Sequence, residues 1–199
     1  MAVRSLKNST LENFANYSSS MNAGYSFQDY ELIESVFVAS NTASVTFNNL
    51  DQYSTDYKHL QIRGTVRTSH ATTYDIVVAR FNGDSGSNYS LHTLTVSYVN
   101  GIASYGAANT SSTSTLISAG ATNSSGYYSP IMIDVVDAFS SIKNKTTKAF
   151  SGMTDGSVNR ELRFSSGSWR NVIPITSVTL YGENGSFLSG SRLSIYGIR

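Results

Sequence analysis

Oxygen-bearing side chains recur at alternate positions in one short segment, as they do in cation-binding loops. Asn82, Asp84 and Asn88 have this spacing, with Gly86 between the last two. The common calcium loops carry several carboxylates and end in a glutamate, and this segment has neither feature. A hairpin turn built from Asn, Asp, Gly and Ser gives the same pattern. We therefore predict a hairpin without a metal, in which Asn82, Asp84 and Asn88 are candidate ligand-binding residues.

The histidines and acidic residues form no catalytic motif. His59, His70 and His92 each lack a second histidine two to four positions away, the usual spacing of a metal site. The chain has no cysteine, and its 13 acidic residues are scattered. A carboxylate pair that hydrolyses glycosides could still assemble from distant strands. We predict no catalytic residue, no metal and no cofactor, and a polysaccharide hydrolase is the least favoured alternative.

Four aromatic residues could stack on a sugar ring or contact a partner protein. Tyr127 and Tyr128 are adjacent in a stretch rich in Gly and Ser, and Trp169 and Tyr181 follow. Such residues are also ordinary parts of a β-sandwich core or rim, which is the interpretation that we favour for the set. Tyr127 and Tyr128 remain candidate ligand-binding residues, with a carbohydrate as the ligand.

Short strand-like segments must position these side chains. Alternating apolar residues predict strands at 43–47, 60–66, 89–96 and 131–136, and a segment that is apolar on both faces predicts a central strand at 74–81. Further strands are predicted at 31–38 and around Phe150, Leu162–Phe164, Val178–Leu180 and Leu193–Ile195. Residues 100–129 are rich in Gly, Ala, Ser and Thr and are interrupted by Thr115–Ile117, and we predict that they are mostly loop. Closely spaced strands without a strong amphipathic helix indicate an all-β fold, an antiparallel β-sandwich of jelly-roll type.

The composition agrees with one β domain. The 199 residues include 35 Ser, 19 Thr and 13 Tyr, while charged residues make up only 14%. The net charge of +1 attracts no nucleic acid. No apolar run resembles a signal peptide or a membrane span, so we expect no membrane contact and no secretion by the usual route. We expect the hydroxyls to lie on the surface, where they form water-compatible hydrogen bonds.

The first 26 residues differ from the rest of the chain. Their charged and apolar side chains are spaced loosely like one face of a short helix, and serines follow at 18–20. The apolar residues are too few to order this segment alone. We predict an extended or short helical arm at 1–26, held either by its own domain at 27–199 or by a neighbouring protein. Its candidate partner-binding residues are Arg4, Leu6, Lys7, Leu11, Phe14 and Tyr17.

Several segments, taken in order along the chain, resemble virion proteins of tailed phages, particularly phages of marine and cyanobacterial hosts. The similar segments are Met1–Leu6, Tyr57–Arg63, Phe81–Ser90, Ser168–Arg170 with Ile175–Val178, and Ser191–Ile198. The third resembles a hairpin of the form FNxDxGxNYS, and the last resembles a closing strand that ends in LYGI. The resemblance covers the whole chain and assigns no catalytic residue.

The resemblance implies a structural role in the virion, after assembly in the host cytoplasm. Capsid decoration is the function we favour, because the chain has one compact domain and an arm but no long repetitive shaft. Implied partners are the major capsid protein or tail components, together with other copies of this chain in a homo-oligomer such as a trimer. The alternative is a tail-fibre or head-fibre module that binds a host receptor or glycan.

Overall fold

The computed structural model describes residues 30–156, 158 and 160–199, which form two packed antiparallel β-sheets. The strands of this part are β1 (Tyr30–Phe37), β2 (Ser44–Phe47), β3 (His59–Val66), β4 (Tyr74–Phe81), β5 (Tyr89–Ser97), β6 (Gly101–Thr110), β7 (Thr113–Ala119), β8 (Ser129–Val136), β9 (Lys145–Thr154), β10 (Arg160–Trp169), β11 (Val178–Gly182) and β12 (Arg192–Ile198). A 3₁₀ turn at Leu50–Tyr53 precedes β3. The predicted arm, with Arg4, Leu6, Lys7, Leu11, Phe14 and Tyr17, lies outside the described residues.

The strand order is that of a jelly roll. One sheet contains the order β1-β12-β3-β8, and the smaller sheet has the order β2-β11-β4-β7. Every neighbouring pair is antiparallel. Two interlocked Greek keys produce this order, because the chain crosses repeatedly from one sheet to the other. The predicted antiparallel β-sandwich of jelly-roll type is confirmed.

Two inserted hairpins widen one of the sheets. The β5–β6 hairpin is inserted between β4 and β7, and the β9–β10 hairpin is inserted between β8 and β11. They continue the first sheet as β8-β9-β10-β5-β6, so that it has eight strands against four in the smaller sheet. Strand β7, at the edge of the smaller sheet, packs against β8, β9, β10 and β5. Part of the larger sheet therefore extends past its partner.

The apolar core lies between the smaller sheet and the jelly-roll half of the larger one. Alternate residues of a strand point to the same face, so the strands on either side of the core contribute several side chains each. Fully buried examples are Leu60, Ile62 and Val66 of β3, Val77, Ala79 and Phe81 of β4, Val178 and Leu180 of β11, and Leu193 and Ile195 of β12. In β3 these are the alternating positions that predict the strand from the sequence, whereas β4 is predicted from apolar residues on both of its faces.

Buried hydroxyls join the edge of β7 to the larger sheet. The side-chain oxygen of Ser151 accepts a hydrogen bond from the backbone of Ile117 at 2.8 Å, and that of Ser129 accepts one from Ala119 at 2.9 Å. Both serines are buried and belong to the larger sheet. An edge strand inside a protein needs such partners, because buried unpaired N–H groups are costly. The expectation that the hydroxyls lie on the surface is wrong for these residues.

A close approach between β7 and β10 explains one glycine. A Cβ on Gly167 would lie 2.0 Å from the Thr113 hydroxyl oxygen and 2.9 Å from that of Thr147. These two threonines are buried, and their oxygens are 3.2 Å apart. Any side chain at position 167 would separate the two sheets here.

The loop predicted at 100–129 is wrong for most of its length. Residues Gly101–Thr110 form β6 and Thr113–Ala119 form β7, which leaves 120–128 as the loop. Small polar residues have weak strand propensity, but pairing with a neighbour overrides it. Strand β6 pairs with β5 along its length, and β7 is held between β4 and the buried hydroxyls of the larger sheet.

Candidate functional site

The residues predicted to bind a ligand lie at opposite ends of the sandwich. Strand β4 runs from Tyr74 to Phe81 beside β7, with Tyr74 opposite Ala119. The 82–88 turn therefore follows one end of β4, while the 120–128 loop lies at the other end. An eight-residue strand is about 24 Å long. Asn82, Asp84 and Asn88 thus cannot share one small ligand with Tyr127 and Tyr128.

Asp84 is the centre of a hydrogen-bond network in the 82–88 turn. One carboxylate oxygen accepts from the Trp169 indole at 2.7 Å and from the Asn88 amide at 2.9 Å, and the other accepts from the Gly86 backbone at 2.8 Å. The bond from Trp169, together with those from Asn88 and Gly86, holds the pKa of Asp84 below its ordinary value. This carboxylate therefore fastens the turn to the body of the protein.

Trp169 connects this turn to an aromatic cluster in the core. The indole is fully buried and stacks on Tyr89 with ring centroids 6.2 Å apart, while Phe81 lies 5.8 Å away. The Tyr89 hydroxyl donates to the Asp84 carbonyl at 3.0 Å, and burial raises the pKa of Tyr89 to about 12. The interpretation of Trp169 as a core residue is confirmed.

Asn82 is turned toward a different segment. Its side-chain oxygen accepts from the backbones of Thr176 at 2.8 Å and Ser177 at 3.1 Å, and its amide donates to the Pro174 carbonyl at 2.9 Å. Asn82 has φ of 52°, a left-handed conformation that asparagine tolerates. The three predicted oxygen ligands thus divide between two tasks, with Asp84 and Asn88 bonded to each other. No three His, Cys, Asp or Glu side chains in the described ranges could together hold a metal ion.

The two tyrosines of the 120–128 loop remain accessible. Tyr127 is exposed, and the Tyr128 hydroxyl donates to the Ser189 carbonyl at 2.7 Å. Buried Arg67 holds this loop by donating to the carbonyls of Asn123 at 2.7 Å and Ser124 at 2.9 Å. That Tyr127 and Tyr128 bind a ligand remains a prediction.

A cleft that the sequence pattern does not indicate lies between the β5–β6 hairpin and the smaller sheet. It has a volume of about 540 Å³. Hydroxyls supply much of its lining, and charge comes from Arg163 and Glu183. Its lining residues include Thr93 and Thr95 of β5, Tyr105 of β6 and Thr115 of β7. We call this site the hairpin cleft. It forms only because the β5–β6 hairpin extends the larger sheet.

Glu183 in the hairpin cleft has an acidic neighbour. Burial raises the pKa of Glu183, the charge of Asp75 raises it further, and the charge of Arg163 opposes both effects. Asp75 is buried, with one carboxylate oxygen accepting from Asn184 at 3.0 Å and from the backbone of Ile76 at 2.8 Å. These residues are distant in sequence, so no local motif could have shown the pair.

Exposed apolar side chains, which no other described part of the chain covers, occupy the outer face of the larger sheet. On this face Phe164 is flanked by Phe150 and Leu94, and Leu162 is flanked by Gly152 and Val96. Ile102 lies beside Val96. The six side chains that we call the apolar patch are Leu94, Val96, Ile102, Phe150, Leu162 and Phe164, which are between 42% and 75% exposed.

The apolar patch reverses the usual orientation of an amphipathic strand. In β5, Leu94 and Val96 face water while Thr93 is buried. In β10, Leu162 and Phe164 face water while Ser165 is buried. Alternation with period two shows that a strand has two unlike faces, but it does not show which face points inward. In β5 and β10 the inward face carries hydroxyls such as those of Thr93 and Ser165. A contiguous apolar surface of several hundred Å² on one face is typical of an interaction site.

Comparison with known proteins identifies no relative. No protein-family model, curated protein or solved structure matches this chain. Over the described ranges, no helix is both long and apolar enough to cross a membrane.

Proposed function

We propose that this chain is a structural protein of a tailed-phage virion, which decorates and stabilises the capsid. The observation that carries the proposal is the apolar patch. The free energy falls when a neighbouring protein removes apolar side chains such as Phe150, Phe164 and Ile102 from water, so this face favours binding. A protein that functions in a closely packed particle can keep such a face uncovered until assembly.

Two further features support the proposal. Jelly rolls are a common architecture of capsid and lectin domains, although architecture alone does not establish function. The ordered resemblance to virion proteins, from Met1–Leu6 through Ser191–Ile198, points to the same class. In this proposal the 1–26 arm, with Arg4, Lys7 and the apolar residues between Leu6 and Tyr17, attaches to the major capsid protein or a tail component. The location is the virion, and the chain has a binding role without catalysis.

Substitution of Phe164 by aspartate should remove the protein from particles without unfolding it. A charge in the centre of the apolar patch would have to be buried against the neighbour, which costs several kcal/mol when it is unpaired. Phe164 is already 47% exposed in the isolated chain, so folding loses little. We expect at least a tenfold loss of copies per particle, because a binding cost above about 1.4 kcal/mol lowers the affinity by more than tenfold. Quantitative mass spectrometry of purified particles measures the number of copies.

The matched control is Ile142→Asp. Ile142 is 82% exposed and lies in the connection between β8 and β9, away from the apolar patch. Incorporation of this variant should match that of the unaltered chain. Equal incorporation of the Phe164 and Ile142 variants would contradict the proposal. Deletion of residues 1–26 tests the arm separately, and unchanged incorporation would remove it from the proposal.

A carbohydrate-binding module is the second candidate function, and the hairpin cleft is the observation that favours it. Threonine hydroxyls, Arg163 and Glu183 can exchange hydrogen bonds with a polyol, and Tyr105 offers a ring for stacking. The same cleft would serve the third candidate, a polysaccharide hydrolase, with Glu183 of its lining as the candidate general acid.

A glycan array on the purified chain tests the carbohydrate candidate. If the hairpin cleft binds sugar, Tyr105→Ala should weaken binding by about tenfold, since stacking on an aromatic ring contributes roughly 1 kcal/mol or more. Tyr98→Ala, which removes an exposed tyrosine outside the lining of the cleft, is the control. An array without signal at millimolar sugar would leave the structural role as the remaining proposal. Release of reducing sugar that Glu183→Gln abolishes would indicate the hydrolase instead.

A further inference from the structure

Three of the four sheet edges in the described part of the chain are protected against pairing with another strand. Edge strand β1 carries Glu31 and Glu34 and has a register irregularity between Leu32 and Glu34. Edge strand β2 is only four residues long. The edge of β7 is occupied by the hydroxyls of the larger sheet described above. Charge, irregularity, shortness and coverage are the devices by which proteins prevent unwanted strand addition.

The fourth edge, strand β6, has almost none of these devices. Gly101–Thr110 is ten residues long and contains neither a charged residue nor a proline. Eight of its residues are exposed, and its only strand partner in the described ranges is β5. Its register irregularity is confined to the end of the strand, opposite Tyr89 and Ser90. Among the described residues no second strand pairs with its outer edge, which presents a mostly regular row of N–H and C=O groups.

We propose that β6 pairs antiparallel with β6 of a second copy of this chain. A two-fold axis through the middle of the strand would occupy both free edges at once, which is the self-complementary arrangement that symmetric dimers require. Ten paired residues supply up to about ten main-chain hydrogen bonds, close to the number in an ordinary protein interface. The proposal is independent of the virion function.

The side chains of β6 favour a second copy as the partner. Two identical strands that carried charge would repel each other, and β6 carries none. Its small residues, such as Ala103, Gly106 and Ala107, allow the strands to approach without side-chain clashes. Ile102 is 75% exposed at the border of the apolar patch. Pairing would join the two eight-stranded sheets and bring the two patches onto one continuous face.

A lysine on β6 should dissociate this dimer, while the same change on an interior strand should not. Ser104 is exposed in the middle of β6, and Ser166 is exposed on β10, on the same face of the sheet. In analytical ultracentrifugation the unaltered full chain should have twice its mass of 21.5 kDa. Ser104→Lys should raise the dimer dissociation constant at least about tenfold, because two lysines would meet across the strand pair. Ser166→Lys should leave it unchanged.

Cysteine cross-linking gives a second measurement that does not depend on a destabilising change. The chain contains no cysteine, so one introduced thiol per copy reports only contacts between copies. Single cysteines placed in turn from 102 to 108 should yield a disulfide-linked dimer at the one or two positions nearest the two-fold axis. Ser166→Cys should yield none.

Four outcomes would overturn the proposal. The first is a chain that remains at 21.5 kDa at high micromolar concentration, with no cross-link along β6. The second is a dimer weakened by Ser166→Lys and not by Ser104→Lys, which would place the contact on the sheet face. A trimer is the third, and a β6 edge that pairs only with a strand of another protein is the fourth.

Discussion

Replacement of Lys145 by methionine is expected to lower the free energy of unfolding by about 2–4 kcal/mol, because a buried charged donor then disappears from its network. Lys145 begins β9 and is fully buried. Its ammonium donates to the carbonyls of Ser140 at 2.5 Å, Lys143 at 2.9 Å and Val172 at 3.2 Å. One side chain thus holds the connection between β8 and β9 to the segment that follows β10.

The surroundings of Lys145 have opposing effects on its charged form. Burial lowers the pKa of its ammonium, and the charge of Asp137 partly restores it. The three carbonyl oxygens replace the water that the ammonium loses on burial, which offsets part of the cost of burying the charge. Methionine is similar in volume and cannot donate, which makes the measured loss a loss of hydrogen bonds and charge rather than of packing.

The measurement is urea unfolding followed by tryptophan fluorescence, since Trp169 is the single tryptophan and is buried. Lys148→Met is the matched control, because this exposed lysine of the same strand makes only a surface ion pair with Asp134 at 3.2 Å. Such pairs contribute about 0–1 kcal/mol. If the two methionine variants unfold at the same urea concentration, the network around Lys145 does not stabilise the fold.

Replacement of Asp84 by alanine is expected to cost about 2–3 kcal/mol, the penalty for leaving a buried donor unpaired and losing charge-assisted bonds. The indole N–H of Trp169 would lose its carboxylate partner, and the amides of Asn88 and Gly86 would lose theirs. The 82–88 turn should then loosen from the core. Asp56→Ala, which removes an exposed carboxylate, is the control and should change the free energy of unfolding little.

The contribution of Asp84 should depend on pH in the acid range. Its folded pKa is lowered below the unfolded value of about 3.9, because Trp169, Asn88 and the Gly86 amide stabilise the carboxylate. The stabilisation is therefore complete above about pH 5 and is lost as the pH falls through the folded pKa. Urea unfolding of the unaltered chain and of Asp84→Ala should differ most near neutral pH and converge toward pH 2. A difference that persists undiminished at low pH would contradict this account.

The core could be predicted from the sequence, whereas the hairpin cleft and the apolar patch could not. Leu60 and Ile62 alternate with polar residues in a pattern that any half-buried strand shows, and both are fully buried. Leu94 and Phe164 show a similar alternation, yet they face water. The local alternation of apolar and polar residues indicates that a strand has two unlike faces. Which face turns inward depends on what lies opposite, and for β5 and β10 that is the edge of β7 rather than an apolar sheet.

In the 82–88 turn, too, one feature could be predicted from the sequence and another depends on the tertiary structure. Its Asn, Asp and Gly content predicts a hairpin, and a turn joins β4 to β5. That Asp84 bonds to Trp169, a residue 85 positions away, follows only from the placement of β10 beside β5. Sequence spacing could not show that Asp84 accepts from Trp169, or that the Asn82 oxygen accepts from the backbones of Thr176 and Ser177, because these donors lie far along the chain. That Asn82, Asp84 and Asn88 bind a ligand remains a prediction.

By itself, the sequence determined the fold class, because period-two alternation, turn chemistry and a lack of helical patterning are local properties of the chain. The tertiary structure alone decided the strand order, the insertion of two hairpins into one sheet and the unprotected edge at β6. These depend on which strands pair across tens of residues, and the pairing energy comes from backbone groups that every residue carries. Strand pairing can therefore hardly be predicted from the sequence, although it creates each candidate surface of this protein.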